Sequence, residues 1–197
     1  MTEIISIFVS AVLIENIILS SFLGICPFLG VSKKTSNAIG MGAALTFVVL
    51  MSSILSYVIN RFLLVPFGLE YLQLVVFILV IATFVQLVEF VTKKYMPALY
   101  KALGVYLPLI TTNCVVLNVA LTVTGMTNGV ADYTFGTMLV YALSIPIGYV
   151  FVIVLFSFIR NRLDSNGVPA PFQGNAIALI TAALMALAFL GFAGILQ

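Results

Sequence analysis

Cys26 and Cys114 are the only thiols of a 197-residue chain that contains no histidine. Thiolates are the usual protein ligands of iron–sulfur clusters, and a two-iron cluster takes four protein ligands. The chain can therefore supply only half of such a ligand set, and another subunit or a second copy must supply the rest. Two other interpretations stay open at this point, since a buried cysteine can act simply as a small hydrophobic residue, and the two thiols could form a disulfide.

Both thiols lie beside glycine or proline residues that interrupt long apolar segments. Cys26 lies within the segment 24–27, and Cys114 follows the segment 108–113, which begins with a proline. A helix broken at bilayer depth is tolerated only where its freed backbone groups are buried in protein or line a cavity. The pattern predicts two intramembrane breaks, each carrying a thiol. The residues that flank the thiols, and that we expect to shape a cofactor site, are Gly24, Ile25, Pro27, Thr112 and Asn113.

Glu15 and Asn16 are polar residues inside the first apolar segment. Glu15 lies about 11 residues into that segment, roughly 17 Å along a helix and near the bilayer centre. Acids at this depth mark ion or proton paths or pair with other buried groups, and both interpretations remain open. Glu89 and Gln86 differ from this pair. An ion pair between Glu89 and Lys93, one helical turn away, is enough to explain an acid at position 89, and Gln86, one turn before, could extend the same polar stripe.

The composition indicates what kind of protein positions these residues. Hydrophobic residues make up 63% of the chain and charged residues 7%, whereas a soluble domain has about 25% charged residues. Such a chain has too few charged residues to cover most of its surface with groups that interact with water, so we expect an all-α integral membrane protein. The net charge of +2 is too small to indicate nucleic-acid binding. The sequence contains no Walker loop or Rossmann fingerprint, and the absence of histidine excludes bis-histidine haem.

Six apolar segments reach the length of about 20 residues that is needed to cross the hydrocarbon core. Barrel strands are only about 10 residues long and alternate in hydrophobicity, so these segments are predicted to be helices. The residues before the first segment lack the basic region of a signal peptide, and we expect that segment to be a retained span. The predicted spans are 4–31, 38–60, 69–91, 98–123, 135–159 and 172–196, of which the first and fourth contain the breaks.

Basic residues are concentrated in alternate loops. Arg61 is the only one on one side, and the other side carries Lys33, Lys34, Lys93, Lys94, Lys101, Arg160 and Arg162. Because cytoplasmic loops are rich in lysine and arginine, this bias predicts cytoplasmic basic loops and places both termini outside. We expect the loop 160–173 to be a stiff connector, with a docking surface for a cytoplasmic partner as the alternative.

The order of spans also predicts two related halves within a single membrane domain, 1–197. Repeat 1 covers about residues 1–92 and repeat 2 about residues 98–197, with the broken span first in each. An odd number of spans per half turns the second half upside down, and paired interrupted spans indicate an intramembrane site built from inverted repeats. In that arrangement Cys26 and Cys114 could meet near the midplane, on the pseudo-two-fold axis.

Three collinear segments, 22–34, 103–114 and 168–182, resemble the family of A-type subunits of the Rnf complex, and the resemblance covers essentially the whole chain. The E-type subunit of the sodium-translocating NADH:quinone reductase is also similar and shares the cysteine motifs. The stretches 26–28, 111–113 and 175–177 look more like the Rnf family. The pair Glu15–Asn16 does not discriminate between the two.

The resemblance implies a function. Rnf complexes move electrons between ferredoxin and NAD, coupled to sodium or proton transport across the bacterial cytoplasmic (inner) membrane. Their A-type and E-type subunits are homologous, have opposite topology and are thought to share one 2Fe-2S cluster, with two cysteines from each. Carried onto this sequence, the ligands are Cys26 and Cys114. The implied partners are an E-type subunit, the flavin and iron–sulfur subunits of the complex, and the bilayer, and the chain is not expected to be catalytic alone.

Hypotheses of two other classes remain. A cofactor-free transporter would use the inverted repeats to form a midplane substrate site, and iron content with visible absorbance would distinguish it from a redox subunit. For a structural scaffold, full activity would survive replacement of both Cys26 and Cys114 by serine. Within the redox class, the equivalent subunit of the quinone reductase is the alternative.

Overall fold

The computed structural model describes residues 8–14, 16–32, 35–68, 70–95, 113–125, 135–164, 169 and 172–193, and within these ranges the chain forms helices joined by turns, with no strand. The helical class predicted from the sequence is therefore confirmed in these ranges. Two π-helical turns (Ser10–Ile14 and Asn60–Leu64) and a 3-10 turn (Glu70–Leu72) accompany the α-helices. The α-helices are α1 (Ile17–Ser20), α2 (Ile25–Val31), α3 (Thr35–Ile59), α4 (Val65–Phe67), α5 (Gln73–Tyr95), α6 (Cys114–Val123), α7 (Phe135–Asp164) and α8 (Asn175–Ala193).

Three helical segments of the described chain are long and apolar enough to cross a membrane: Thr35–Phe67, Gln73–Val91 and Phe135–Leu163. Two shorter apolar helices are Cys114–Val123 and Asn175–Gly191. Large apolar side chains cover their outer faces, and Phe90, for example, is 76% exposed. So much exposed apolar surface marks contact with lipid or other subunits, in agreement with a multi-pass membrane protein.

The chain divides into two compact units. The first contains Met1–Ala43 and Ser144–Gln197. In this unit α8 packs against the π-helical turn Ser10–Ile14, α1 and α2, and α2 also packs against α7 through an aromatic contact. The first predicted span is thus a series of short helical pieces, as the glycine and proline pattern indicated.

The second unit contains Ala44–Leu143. Helix α5 packs against α6, and a hydrogen bond joins them, from Gln73 Nε2 to Thr124 Oγ1 at 2.7 Å. Gln73 is the first residue of α5 and Thr124 caps the carboxyl end of α6. The bond therefore fixes one end of α6 against the start of its neighbour.

The fifth predicted span is longer than expected. Helix α7 continues past residue 159 to Asp164, so Arg160 and Arg162 lie in a helix and not in a loop, which corrects the expected start of the connector 160–173. A basic residue after an apolar run indicates the edge of the membrane but does not end a helix. Of the fourth predicted span, 98–112 lies outside the described residues, as do Lys33, Lys34 and Lys101.

Candidate functional site

Cys26 lies in the first turn of the short helix α2. Gly24 precedes this helix with a left-handed φ of 82°, a conformation that glycine adopts without steric cost. Pro27 also lies in the first turn, where the missing N–H would have had no helical partner. The first helical hydrogen bond runs from Phe28 N to Gly24 O at 3.3 Å. Gly24 and Pro27 therefore do more than interrupt a long helix. They fix the start of a new helix immediately beside the Cys26 thiol.

The two faces of α2 differ. Phe28 and Val31 are buried at 0% and 1% exposure, while Cys26 and Gly30, one turn apart, are exposed. Both Cys26 and Cys114 are thiols. Helix α2 therefore presents the Cys26 sulfur outward while its opposite face is anchored in the first unit.

Helix α7 holds α2 in place through apolar and polar contacts. The rings of Phe28 and Phe156 lie with centroids 4.3 Å apart. Arg160, only 3% exposed, donates from Nη1 to Leu29 O at 2.9 Å and to Ser32 Oγ at 2.8 Å. Leu29 O is one of the last carbonyls of α2, which have no partner within the helix, and a cation there also complements the helix dipole. The sequence did not reveal this contact.

Asn16 forms a second break upstream, between the π-helical turn and α1. Its backbone is extended, with φ −62° and ψ 109°, and Oδ1 accepts a hydrogen bond from Ile18 N. Nδ2 donates to Val12 O at 3.1 Å and to Gly148 O at 3.0 Å. A Cβ at Gly148 would lie 3.0 Å from Val12 O, so the close approach of α7 to this break favours glycine. Glu15 lies outside the described residues.

Asn113 caps the helix that begins with Cys114. Its backbone has φ −71° and ψ 118°, and Oδ1 accepts from Val115 N at 3.1 Å. Asn113 is 5% exposed, while Cys114 is half-buried. Asparagine is a preferred amino-terminal cap, and this is the signal that could have located both Asn16 and Asn113 as helix starts. Thr112 lies outside the described residues.

The two thiols share a local setting although they belong to different units. Cys26 is the second residue of α2 and Cys114 the first of α6. Backbone N–H groups at such helix starts have no helical partner and favour negative charge, which suits thiolate and sulfide ligands. Among the described residues no group of three or more histidine, cysteine or acidic side chains could hold a metal ion. The donors fit half of a four-ligand iron–sulfur set, and the meeting of Cys26 with Cys114 stays a prediction.

Comparison with known proteins matches residues 4–196 to the family described as "Rnf-Nqr subunit, membrane protein". The A-type subunit of the ion-translocating oxidoreductase complex of Serratia proteamaculans (strain 568) is 54% identical over 197 residues, which is 100% of both chains. Its counterparts from Cronobacter sakazakii (strain ATCC BAA-894) and Yersinia enterocolitica serotype O:8 are 51% and 52% identical over 100% of both chains. The similarity therefore extends well beyond the three motifs that first indicated it.

Proposed function

Because the chain belongs to the Rnf-Nqr family of membrane subunits, we propose that it relays electrons across the membrane through a 2Fe-2S cluster shared with a homologous subunit of opposite topology. At the coarser level it is a membrane subunit of an Rnf ion-translocating oxidoreductase complex, and so a translocase subunit that is not catalytic alone. The observation that supports the finer proposal is the exposed thiol of Cys26 at the start of an anchored helix.

The residues that would hold the cluster are Cys26 and Cys114, with two further cysteines from the partner. When bound, the cluster supplies one-electron transfer in a layer that otherwise blocks electrons. The chain itself contributes two fixed sulfur positions, because Gly24 starts α2 and Asn113 caps α6. An exposed Cys26 is accessible to a second subunit without any rearrangement of α2. Ile25, Pro27 and Thr112 complete the expected surroundings of the two sulfurs.

The proposed architecture has six spans in two inverted repeats, about 1–92 and 98–197, each with a broken first span. Support comes from the breaks at Asn16 and Asn113, which have the same local geometry. At each break an asparagine with an extended backbone caps the following helix, and its Oδ1 accepts a hydrogen bond from the backbone N–H two residues later. The distribution of basic residues supports cytoplasmic loops and external termini. A place in the bacterial inner membrane is inferred from the membership of the Rnf-Nqr family. The partners are an E-type subunit together with the flavin and iron–sulfur subunits.

Coupling to ion movement follows from electrostatics. An electron that enters the membrane interior brings negative charge, and charge there is costly unless it is compensated. A cation drawn toward the Glu15–Asn16 region, or a shift of the broken helices, would offset that cost. The Asn16 atom that could bind a cation is Oδ1, which already accepts a hydrogen bond from Ile18 N at 3.3 Å, so Glu15 is the better candidate for cation contact.

Low-temperature electron paramagnetic resonance of the dithionite-reduced complex tests the electron relay, with wild type compared to Cys26→Ser and Cys114→Ser. We expect each substitution to remove the same two-iron signal while the other subunits still co-purify with their own cofactors. A complex that retains the signal in both variants would refute the proposal. Such a result would favour a cofactor-free transporter.

A further inference from the structure

The amide nitrogen of Asn113 is buried and lacks a hydrogen-bond partner in the described part of the chain. Its Nδ2 atom is shielded from solvent without an acceptor, and the residue as a whole is 5% exposed. Buried side-chain polar atoms in native proteins are nearly always hydrogen-bonded, so an exception requires an explanation such as an unseen ion or ligand. Asn113 directly precedes Cys114, which makes a ligand at that thiol the nearest explanation.

The orientation of the Asn113 amide is fixed by its cap. The atom bonded to Val115 N at 3.1 Å must be an acceptor, and this identifies it as Oδ1. The atom without a partner is therefore the nitrogen, a donor of two hydrogens. Because Oδ1 and Nδ2 share one carbon, Nδ2 lies at the same end of α6 as Cys114. A donor at this end of the helix is suited to an anionic acceptor.

Asn16 provides an internal comparison. It has the same extended backbone and the same cap to the second helical amide, and it is 3% exposed. However, its Nδ2 donates to two backbone carbonyls, Val12 O and Gly148 O. The buried asparagine cap at the first break thus uses its nitrogen within the protein. In contrast, Asn113, which directly precedes the Cys114 thiol, has an Nδ2 atom that can still donate a hydrogen bond.

We propose that Asn113 Nδ2 donates a hydrogen bond to a sulfur atom, thiolate or inorganic sulfide, of the cluster held through Cys114, and that this bond raises the reduction potential. The inference rests on the proposed function. Hydrogen bonds to the sulfurs help to set the potential of iron–sulfur clusters. A donor stabilises the more negative, reduced form most, so its removal disfavours reduction. Asn113 is in this sense a positioning residue, since it is not itself a ligand.

The test is a redox titration of the two-iron signal in the assembled complex for wild type, Asn113→Ser and Asn113→Asp. Serine and aspartate cap helices about as well as asparagine, but neither retains the amide donor. We expect the equilibrium constant for cluster reduction to fall about tenfold in Asn113→Ser, which is about 59 mV for a one-electron couple. Asn113→Asp, which adds negative charge, is expected to lower it further. Pulsed resonance in D2O should detect an exchangeable proton near the cluster that is lost in Asn113→Asp, because an ionised carboxylate has no proton to donate.

Gln73→Ser is the matched control. It removes an amide nitrogen that already donates to Thr124 Oγ1 at 2.7 Å, at the opposite end of α6, so we expect some loss of stability but an unchanged reduction equilibrium in the clusters that assemble. Normal cluster content with an unchanged equilibrium in Asn113→Ser would overturn the inference and leave the electron relay intact. Retention of the signal in the cysteine variants would instead refute the relay itself, so the two failures are distinguishable.

Discussion

Replacement of Arg160 by methionine should loosen helix α2, which carries Cys26. Arg160 Nη1 makes two hydrogen bonds to this helix and its cap, at 2.9 and 2.8 Å. Hydrogen bonds from charged donors contribute about 1.5–3 kcal/mol each, and part of this sum offsets the cost of burying the guanidinium. We expect a net loss of about 2–4 kcal/mol in the free energy that keeps α2 docked.

Hydrogen exchange followed by mass spectrometry measures that free energy directly. Amides of α2, such as Phe28 N bonded to Gly24 O, exchange when the helix opens locally. A loss of about 2–4 kcal/mol predicts exchange about 30-fold to 1,000-fold faster. The increase should be confined to peptides that cover α2, with α5 unchanged. Arg160→Lys keeps the charge and a donor, so it should show a smaller increase.

Arg162→Met is the control for the loss of a positive charge on the same helix. Arg162 is exposed, and the interactions of exposed charged side chains usually contribute no more than about 1 kcal/mol. Exchange in α2 should therefore stay within about fivefold of wild type. The reasoning would be refuted if Arg160→Met and Arg162→Met gave the same exchange in α2. A uniform increase over all helices would also contradict it, because it would indicate general destabilisation instead of local undocking.

Two further predictions concern the first break. Gly148→Ala would place a Cβ 3.0 Å from a backbone oxygen and should destabilise the complex by about 1–3 kcal/mol, as overpacking does. We expect its thermal midpoint to be lower than that of Gly136→Ala, whose Cβ meets nothing within 4 Å. Equal midpoints for the two variants would count against the close contact. Glu15→Gln should slow ion transport into proteoliposomes more than electron transfer, because it removes charge from the proposed cation contact. Glu89→Gln, outside that region, should leave the ratio of the two rates unchanged, and an equal loss of both rates in Glu15→Gln would contradict the ion-path role.

The regular helices could be predicted well from the sequence. In lipid, every backbone group must be satisfied within the protein, so a long apolar run is constrained to be a helix. The predicted span 38–60 corresponds to α3, and 69–91 to α5 with a shift of a few residues. The break before Cys26 was also foreseen, because glycine at a positive φ and proline in a first turn are local effects.

The contacts of Arg160 and Asn16 could not be predicted in the same way. Arg160 looks like any basic residue at the edge of a span, and its burial depends on Leu29 and Ser32, which are 131 and 128 positions away in the sequence. The partner of Asn16 at Gly148 is equally remote. Side-chain pairing of this kind is determined by tertiary packing. Asn113 is intermediate between these cases. Its role as a helix cap could be predicted from the local sequence, whereas the lack of a hydrogen-bond partner for its Nδ2 atom depends on tertiary packing.

The contact between Asn16 and Gly148 also constrains how this sequence can evolve. The two positions are 132 residues apart, yet one hydrogen bond and one close approach join them. A Cβ at position 148 would lie 3.0 Å from Val12 O and 3.2 Å from Asn16 Nδ2, so a larger residue there would fit best if the break at position 16 shifted as well. Residues in direct contact have non-additive effects on stability, so the cost of a change at one position should depend on the residue at the other. Drift at these two positions should therefore be concerted, and substitutions at one should depend on the residue at the other.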